Sequence, residues 1–182
     1  MELRAGKVLI TEDRIAERVS ALAREINRSY GGSPVTLVGV LDGCLIFLSD
    51  LVRRLDMPLE IALVRVKTYG NSTRPEKKPI IPEDDAARVR GHNVLVVDDI
   101  YDSGETLAAL TRALEVAGAR TLKTCIFLAK DHPHEQALNI DYVGFTVPDV
   151  FVVGYGLDYA GKYRNLPYVA ELEGADTDTA FA

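Results

Sequence analysis

Residues 94–107, Val-Leu-Val-Val-Asp-Asp-Ile-Tyr-Asp-Ser-Gly-Glu-Thr-Leu, leave the chain few ways to fold. Val94, Leu95, Val96 and Val97 form an unbroken apolar run, three of its four members β-branched. Such a run fits a strand covered on both faces, the condition of a strand inside a parallel sheet. Asp98 and Asp99 follow at once, then a short polar turn ending in Ser103, Gly104, Glu105 and Thr106. Leu107, Leu110, Ala113, Leu114 and Ala117 recur at helical spacing, and Gly118 is a natural stop. A strand, an acidic turn and a helix in that order put carboxylates at the carboxyl end of a parallel strand, where open α/β sheets bind ligands. The turn and the new helix also aim backbone N–H groups at any anion bound there.

The residue types narrow the ligand. A turn containing glycine that opens a helix points to a phosphate. Asp98 and Asp99 would repel a bare phosphate, so they need another partner: sugar hydroxyls or a hydrated Mg²⁺. A ligand carrying a phosphate, a vicinal diol and a metal meets all three demands. Neither G-x-x-x-x-G-K-[ST] nor G-x-G-x-x-G occurs, which disfavours an ordinary P-loop NTPase and a dinucleotide fold.

Composition removes other classes. The 182 residues suit one domain with a substantial core. A net charge of −6 without a basic cluster argues against a nucleic-acid partner. Cys44 and Cys125 lie far apart among apolar residues without metal-ligand spacing, so both read as buried free thiols. The N-terminus has no apolar signal region and no apolar run approaches a membrane span, so no membrane partner and a cytoplasmic location are expected. Residues 173–182 are small, acidic and aperiodic, and are expected to form a flexible tail.

Along the chain, Val8-Leu9-Ile10 reads as a short strand, and Thr11 as a helix cap through its hydroxyl. Ile15, Val19, Leu22, Ala23 and Ile26 make one apolar stripe, ended by Gly31-Gly32. Arg14, Glu17, Arg18, Arg24 and Glu25, between those residues, read as a solvated face. A strand over 35–41 breaks at Asp42-Gly43 and leads into a helix over 45–55. A strand over 59–66 precedes a long stretch rich in Gly, Pro and polar residues, a length that is usually functional or disordered inside a compact domain. Further strands are expected at 80–81, 121–129, 141–145, 151–154 and 168–170, with Lys130 at the carboxyl end of one of them. His132-Pro133-His134 lacks a third ligand and does not read as a metal site.

On these residues the chain resembles the type I phosphoribosyltransferases, and within them the hypoxanthine-guanine enzymes. The 94–107 stretch is similar to their motif for phosphoribosyl diphosphate (PRPP). Leu41-Asp42-Gly43, Thr68-Tyr69-Gly70, Lys130 and the block Phe-Val-Val-Gly-Tyr-Gly-Leu-Asp-Tyr at 151–159 look like the remaining signatures, in the right order. The likeness covers roughly residues 5–172. It implies an α/β fold with a mostly parallel central sheet and helices on both faces. It also implies a single domain over 1–172, a small hood built from the N-terminal segment and about 131–172, and a mobile lid at about 67–82.

The implied activity is purine salvage: Mg²⁺-dependent, reversible transfer of 5-phosphoribose from PRPP to N9 of hypoxanthine or guanine, giving IMP or GMP and pyrophosphate. By the same resemblance, Asp98 and Asp99 would hold the ribose hydroxyls and, with Asp158, the metal. Ile100, Tyr101, Ser103, Gly104, Glu105 and Thr106 would wrap the 5′-phosphate. Leu41, Asp42 and Gly43, with a cis peptide between the first two, would contact pyrophosphate together with Arg164. Thr68 and Tyr69 would belong to the lid. Lys130 would donate to the 6-oxo group, Phe151 would stack on the base, and Val152, Leu157 and Asp158 would border its edge. Asp102 would be the general base toward N7.

The chain departs from the family pattern at two places. Many relatives carry Lys at the position of Asp42 and many hypoxanthine-guanine enzymes carry Glu at that of Asp98. An acid at 42 leaves pyrophosphate to the backbone and the metal. Relatives are commonly homodimers or homotetramers. The alternatives are a xanthine-preferring sister enzyme, since guanine and xanthine differ only at C2, and a nucleotide-sensing regulator on the same fold, such as the pyrimidine-operon attenuators. Those regulators lack an acid at the position of Asp102 and carry a basic RNA face, whereas this chain has the acid and is net negative.

Overall fold

A computed structural model describes residues 4–69, 76–80, 88–132 and 138–174, with 67–69 and 76–80 as backbone only. In chain order the elements are β1 (Arg4–Ile10), α1 (Glu12–Tyr30), β2 (Val35–Leu41), α2 (Leu45–Val52), β3 (Leu59–Tyr69), β4 (Glu76–Ile80), β5 (Asn93–Tyr101), α3 (Glu105–Val116), β6 (Thr121–Lys130), β7 (Tyr142–Val147), β8 (Val152–Val153) and β9 (Val169–Glu173).

The apolar run at 94–97 lies in β5, inside a six-stranded sheet of order β4-β3-β2-β5-β6-β7. All neighbours in it are parallel except the edge pair β3 and β4. Alternate residues of β5 face opposite layers, as a strand requires. Leu95 and Val97 join Leu37 and Phe127 beneath α1 and α2, which contribute Val19, Leu22, Ile26, Phe47 and Leu51. Val94 and Val96 join Val38, Val64 and Ile126 beneath Leu107, Leu110 and Leu114 of α3. Helices therefore cover both faces, as the resemblance implies. A second sheet, antiparallel and of order β1-β9-β8, joins the start of the chain to its end, with Val8 opposite Ala170 and Val152 opposite Glu171. Cys44 and Cys125 are buried free thiols. Among the described residues no helix is long and apolar enough to cross a membrane.

The fold differs in detail from the sequence expectations. Thr11 sits at the start of α1, but its hydroxyl makes no capping bond; its carbonyl accepts from the Ile15 N–H at 3.0 Å instead. Arg18 is not part of a solvated face. It donates to the carbonyls of Val143 and Gly144 at 2.6 and 2.9 Å and to Glu25 at 2.9 Å, pinning α1 to β7. The helix expected over 45–55 ends at Val52, where Arg54 and Leu55 turn back with i→i+3 bonds to Leu51 and Val52. β3 runs on through Thr68 and Tyr69 because β4 pairs with that extension. β9 reaches Glu173, whose carboxylate accepts from Arg4 at 2.9 Å, one residue into the stretch read as tail; 175–182 lie outside the described residues.

Phe127 is the centre of the α1/α2 layer, with ring centroids 5.2 Å from Phe47, 5.8 Å from Phe145 and 4.8 Å from Tyr155. Phe127→Ala is expected to cost about 3–5 kcal/mol of stability, because a large cavity opens among rings that cannot collapse onto it. Urea unfolding should show a lower midpoint with an unchanged slope.

Candidate active site

β2 and β5 are neighbours, yet β2 connects outward to β3 while β5 connects outward to β6. The winding reverses between them, and such a switch point leaves an uncovered crevice at the strands' carboxyl ends. From β2 come Leu41, Asp42 and Gly43, and the Leu41–Asp42 peptide is cis, as the resemblance implies. From β5 come Asp98 and Asp99, which lie within the strand rather than in a turn after it.

The Asp99 side chain lies directly against the loop after β2. A Cβ on Gly43 would lie 1.8 Å from Asp99 Oδ2, so only glycine lets the carboxylate lie against this backbone. Gly156, at φ +101°, comes as close from the other side: a Cβ there would lie 2.2 Å from the Gly43 carbonyl oxygen. Three segments distant in sequence therefore meet at Gly43.

Asp98 is 4% exposed, and its Oδ1 accepts the Asp99 N–H at 2.9 Å. Burial, reinforced by the Asp99 charge, holds the Asp98 carboxyl well above the usual carboxylate range. Asp99 is pushed the same way by burial, while hydrogen bonds and the nearby Arg164 guanidinium act against the shift. The pair is a concentration of hard oxygen donors short of positive charge. Such a donor set fits a divalent cation of the Mg²⁺ type.

The sequence after the acids behaves as its residue types dictate. Gly104 adopts φ +83° and opens α3, its carbonyl accepting the Ala108 N–H at 2.9 Å. Ser103 Oγ accepts the Glu105 N–H at 3.4 Å. A cleft of about 230 Å³ runs past Thr106, Ile100, Leu41, Gly43, Asp98 and Asp99. The Tyr101 side chain is turned away from this cleft. Its ring is buried in the α3-side core, and its hydroxyl accepts the Leu138 N–H at 2.9 Å.

A second cleft, of about 250 Å³, shares Asp99 and Ile100 with the first and is closed by Asp102, Lys130, Phe151, Val152, Leu157 and Asp158. Lys130 is 6% exposed. Its Nζ donates to Asp149 Oδ1 at 3.1 Å and stands 3.6 Å from Asp102 Oδ2. That hydrogen bond holds the Asp149 carboxyl below its usual range. The Phe151 ring meets Tyr159 edge-on at 5.4 Å. Asp158 Oδ1 pairs with Arg164 at 2.7 Å, its Oδ2 accepts the Gly161 N–H at 2.7 Å, and Arg164 also donates to the Gly156 carbonyl.

Three partners escaped the sequence reading. Arg65, on β3, grips both oxygens of Asp42 at 2.8 and 3.2 Å, so the charge of this acid is compensated from the neighbouring strand. Asp149 places Lys130. His132 Nε2 lies 2.7 Å from Asp102 Oδ1. Asp102, His132 and Asp149 come close enough to hold a metal, but the Lys130 ammonium already lies between the two carboxylates and supplies the positive charge. Thr68 and Tyr69 are described only as the end of β3, and of the segment read as a lid, 70–75 and 81–82 lie outside the described residues.

Comparison with known proteins agrees with the fold. A family model described as a phosphoribosyl transferase domain matches residues 9–160, and the chain belongs to that family. It is 41% identical to the hypoxanthine-guanine phosphoribosyltransferase of Bacillus subtilis (strain 168) over 169 residues, 93% of this chain and 94% of that one. It is 44% identical over 167 residues to the bifunctional protein TilS/HprT of Listeria innocua; the match takes in 92% of this chain but only 26% of that longer protein. The crystal structure of a hypoxanthine phosphoribosyltransferase from Staphylococcus aureus superposes with a TM-score of 0.86 at 35% identity, covering 93% of this chain and 92% of that one.

The raised Asp98 carboxyl has a consequence for stability. The folded protein holds that proton more tightly than the unfolded chain, so ionisation opposes folding, and the penalty grows as pH rises above the unfolded value of about 3.9. In metal-free buffer Asp98→Asn should melt above the wild type at pH 7, with the gap closing toward pH 4. Calorimetry across that range checks the sign.

Proposed function

We propose that the chain transfers 5-phosphoribose reversibly from PRPP to N9 of hypoxanthine or guanine, releasing pyrophosphate. One observation carries this beyond family membership. An acceptor, Asp102 Oδ2, and a donor, Lys130 Nζ, stand 3.6 Å apart in a cleft that continues into the acidic pair. A 6-oxopurine offers O6, an acceptor, beside N7–H, a donor, and so complements the two. Adenine would turn an amino group toward the ammonium.

In this reading Asp98 and Asp99 accept from the ribose 2′- and 3′-hydroxyls. The backbone of Ile100 and Tyr101, the 103–106 turn and the Thr106 hydroxyl hold the 5′-phosphate at the N-terminus of α3. The Leu41, Asp42 and Gly43 backbone and Arg164 hold pyrophosphate, while Asp42, engaged by Arg65, carries no charge of its own to the ligand. Mg²⁺, held by Asp98, Asp99 and Asp158 when bound, supplies the remaining charge neutralisation on pyrophosphate. Phe151 stacks on the base, Val152 offers backbone groups, and Leu157 and Asp158 border the C2 edge. As the bond from C1 to the pyrophosphate oxygen breaks, N9 forms its bond to C1, and Asp102 accepts the N7 proton. The β1-β9-β8 sheet serves as the hood and residues 67–82 as the lid, with Thr68 and Tyr69 at its start, excluding water from the ribosyl cation.

A homodimer or homotetramer and a cytoplasmic location belong to the same proposal. Leu45 and Ile46 on α2 and Ile61 and Leu63 on β3 are exposed apolar residues, and they support assembly. Light scattering on the eluting protein should give the mass of two or four chains.

The deciding assay mixes purified protein, PRPP and Mg²⁺ with hypoxanthine, guanine, xanthine, adenine or uracil in turn. Nucleotide is expected from hypoxanthine or guanine, and EDTA should abolish it. Product from xanthine alone would select the sister enzyme, and no product with any base would favour the regulator. Asp102→Asn should lower kcat by about 10²-fold or more with little change in KM for PRPP.

A further inference from the structure

β5 and β6 run side by side, with Tyr101 opposite Ala129, so Asp102 and Lys130 leave the sheet as neighbours. The chain after β6 stays pinned: the Asp131 N–H donates to the Val147 carbonyl at 2.9 Å. Lys130 ends β6, and His132 lies two residues on, in the bend that follows. Both reach Asp102, but at different atoms. His132 Nε2 is 2.7 Å from Oδ1, whereas Lys130 Nζ is 3.6 Å from Oδ2, beyond direct hydrogen-bond length. An ionised carboxylate can only accept, which assigns the hydrogen of that contact to Nε2 of the imidazole. Lys130 in turn is drawn the other way, donating to Asp149 at 3.1 Å.

We propose that His132 is a positioning residue for the proposed base: by holding Oδ1 it fixes the Asp102 carboxylate and keeps it from closing onto Lys130. Without it, an acid and an ammonium already 3.6 Å apart at the wall of the cleft would close into a direct, hydrogen-bonded ion pair. The acceptor meant for N7 and the donor meant for O6 would then satisfy each other. His132 and Asp149 act as opposed tethers, one on the carboxylate and one on the ammonium, and the separation they keep lets a 6-oxopurine edge face both groups at once. The inference rests on the phosphoribosyl transfer proposed above and adds the residue that keeps its acid–base pair apart.

The test is a steady-state comparison of the full chain with His132→Ala and His132→Gln, each also made with Asp102→Asn, after a melting curve on every variant. His132→Ala should lower kcat about 10- to 100-fold, the scale of a misplaced catalytic group. KM for PRPP should stay within about twofold, since the ribose and phosphate sites are not touched. His132→Gln keeps an N–H donor near the Nε2 position and should recover most of the loss, which a merely structural role would not. In the Asp102→Asn background His132→Ala should cost nothing further, because the effect passes through that carboxylate.

The inference falls if His132→Ala leaves kcat within about twofold of wild type, if glutamine is no better than alanine, or if the loss persists without the Asp102 carboxylate. Wild-type protein inactive with every base would defeat the underlying function and this inference together; an active wild type with an indifferent His132→Ala defeats this inference alone.

Discussion

The seam between β2 and β5 governs the rest of the molecule. Two parallel strands lie in contact while the chain departs from them in opposite directions, so the ends of both open into the same crevice. Everything placed there must come from backbone turns that leave the sheet together. That is why a cis peptide, a pair of adjacent aspartates and a helix N-terminus are found within one cleft. The geometry also makes the crevice electrically demanding. Asp98 is buried at the end of a strand whose other residues are apolar, beside a second carboxylate, and both are driven toward the neutral form. Such a pair costs the fold stability, and it fits a site that is completed by cations and hydroxyls brought with a ligand.

What the sequence made legible was whatever depends on neighbours along the chain. The 94–97 run had to be an interior strand, Gly104 had to turn, and the leucines after it had to face a core; the structure has all three. The acids were misassigned to the turn because β6 continues to pair with β5 past the apolar run, as far as Tyr101 opposite Ala129, and that pairing holds them in the strand. Contacts between distant residues were not legible. Arg18 and Val143 are 125 residues apart, and His132 and Asp102 are 30 apart. A single sequence shows a charged residue between stripe positions, or a histidine in a polar loop. It does not show the carbonyl or carboxylate that a turn of the fold will set beside it. Lys130 was found only through family resemblance; its role as a buried cation between two acids is a property of three loops.

Close approach matters as much as charge here. Gly43 and Gly156 carry no chemistry, yet the Asp99 carboxylate, the loop after β2 and the turn before Arg164 can meet only because neither has a side chain. Arg164 ties that turn down by bonding both Asp158 and the Gly156 carbonyl, so the walls of the two clefts are one connected piece.

The bond between Asp42 and Arg65 constrains what position 42 can carry. Leu41 and Arg65 are register partners on adjacent strands, so a charge at 42 is always read against whatever residue 65 carries. A lysine at 42 would sit beside an arginine in this framework, and like charges at that spacing repel. The two positions are therefore physically coupled: a cation at 42 would be accommodated best by a β3 that had given up its guanidinium.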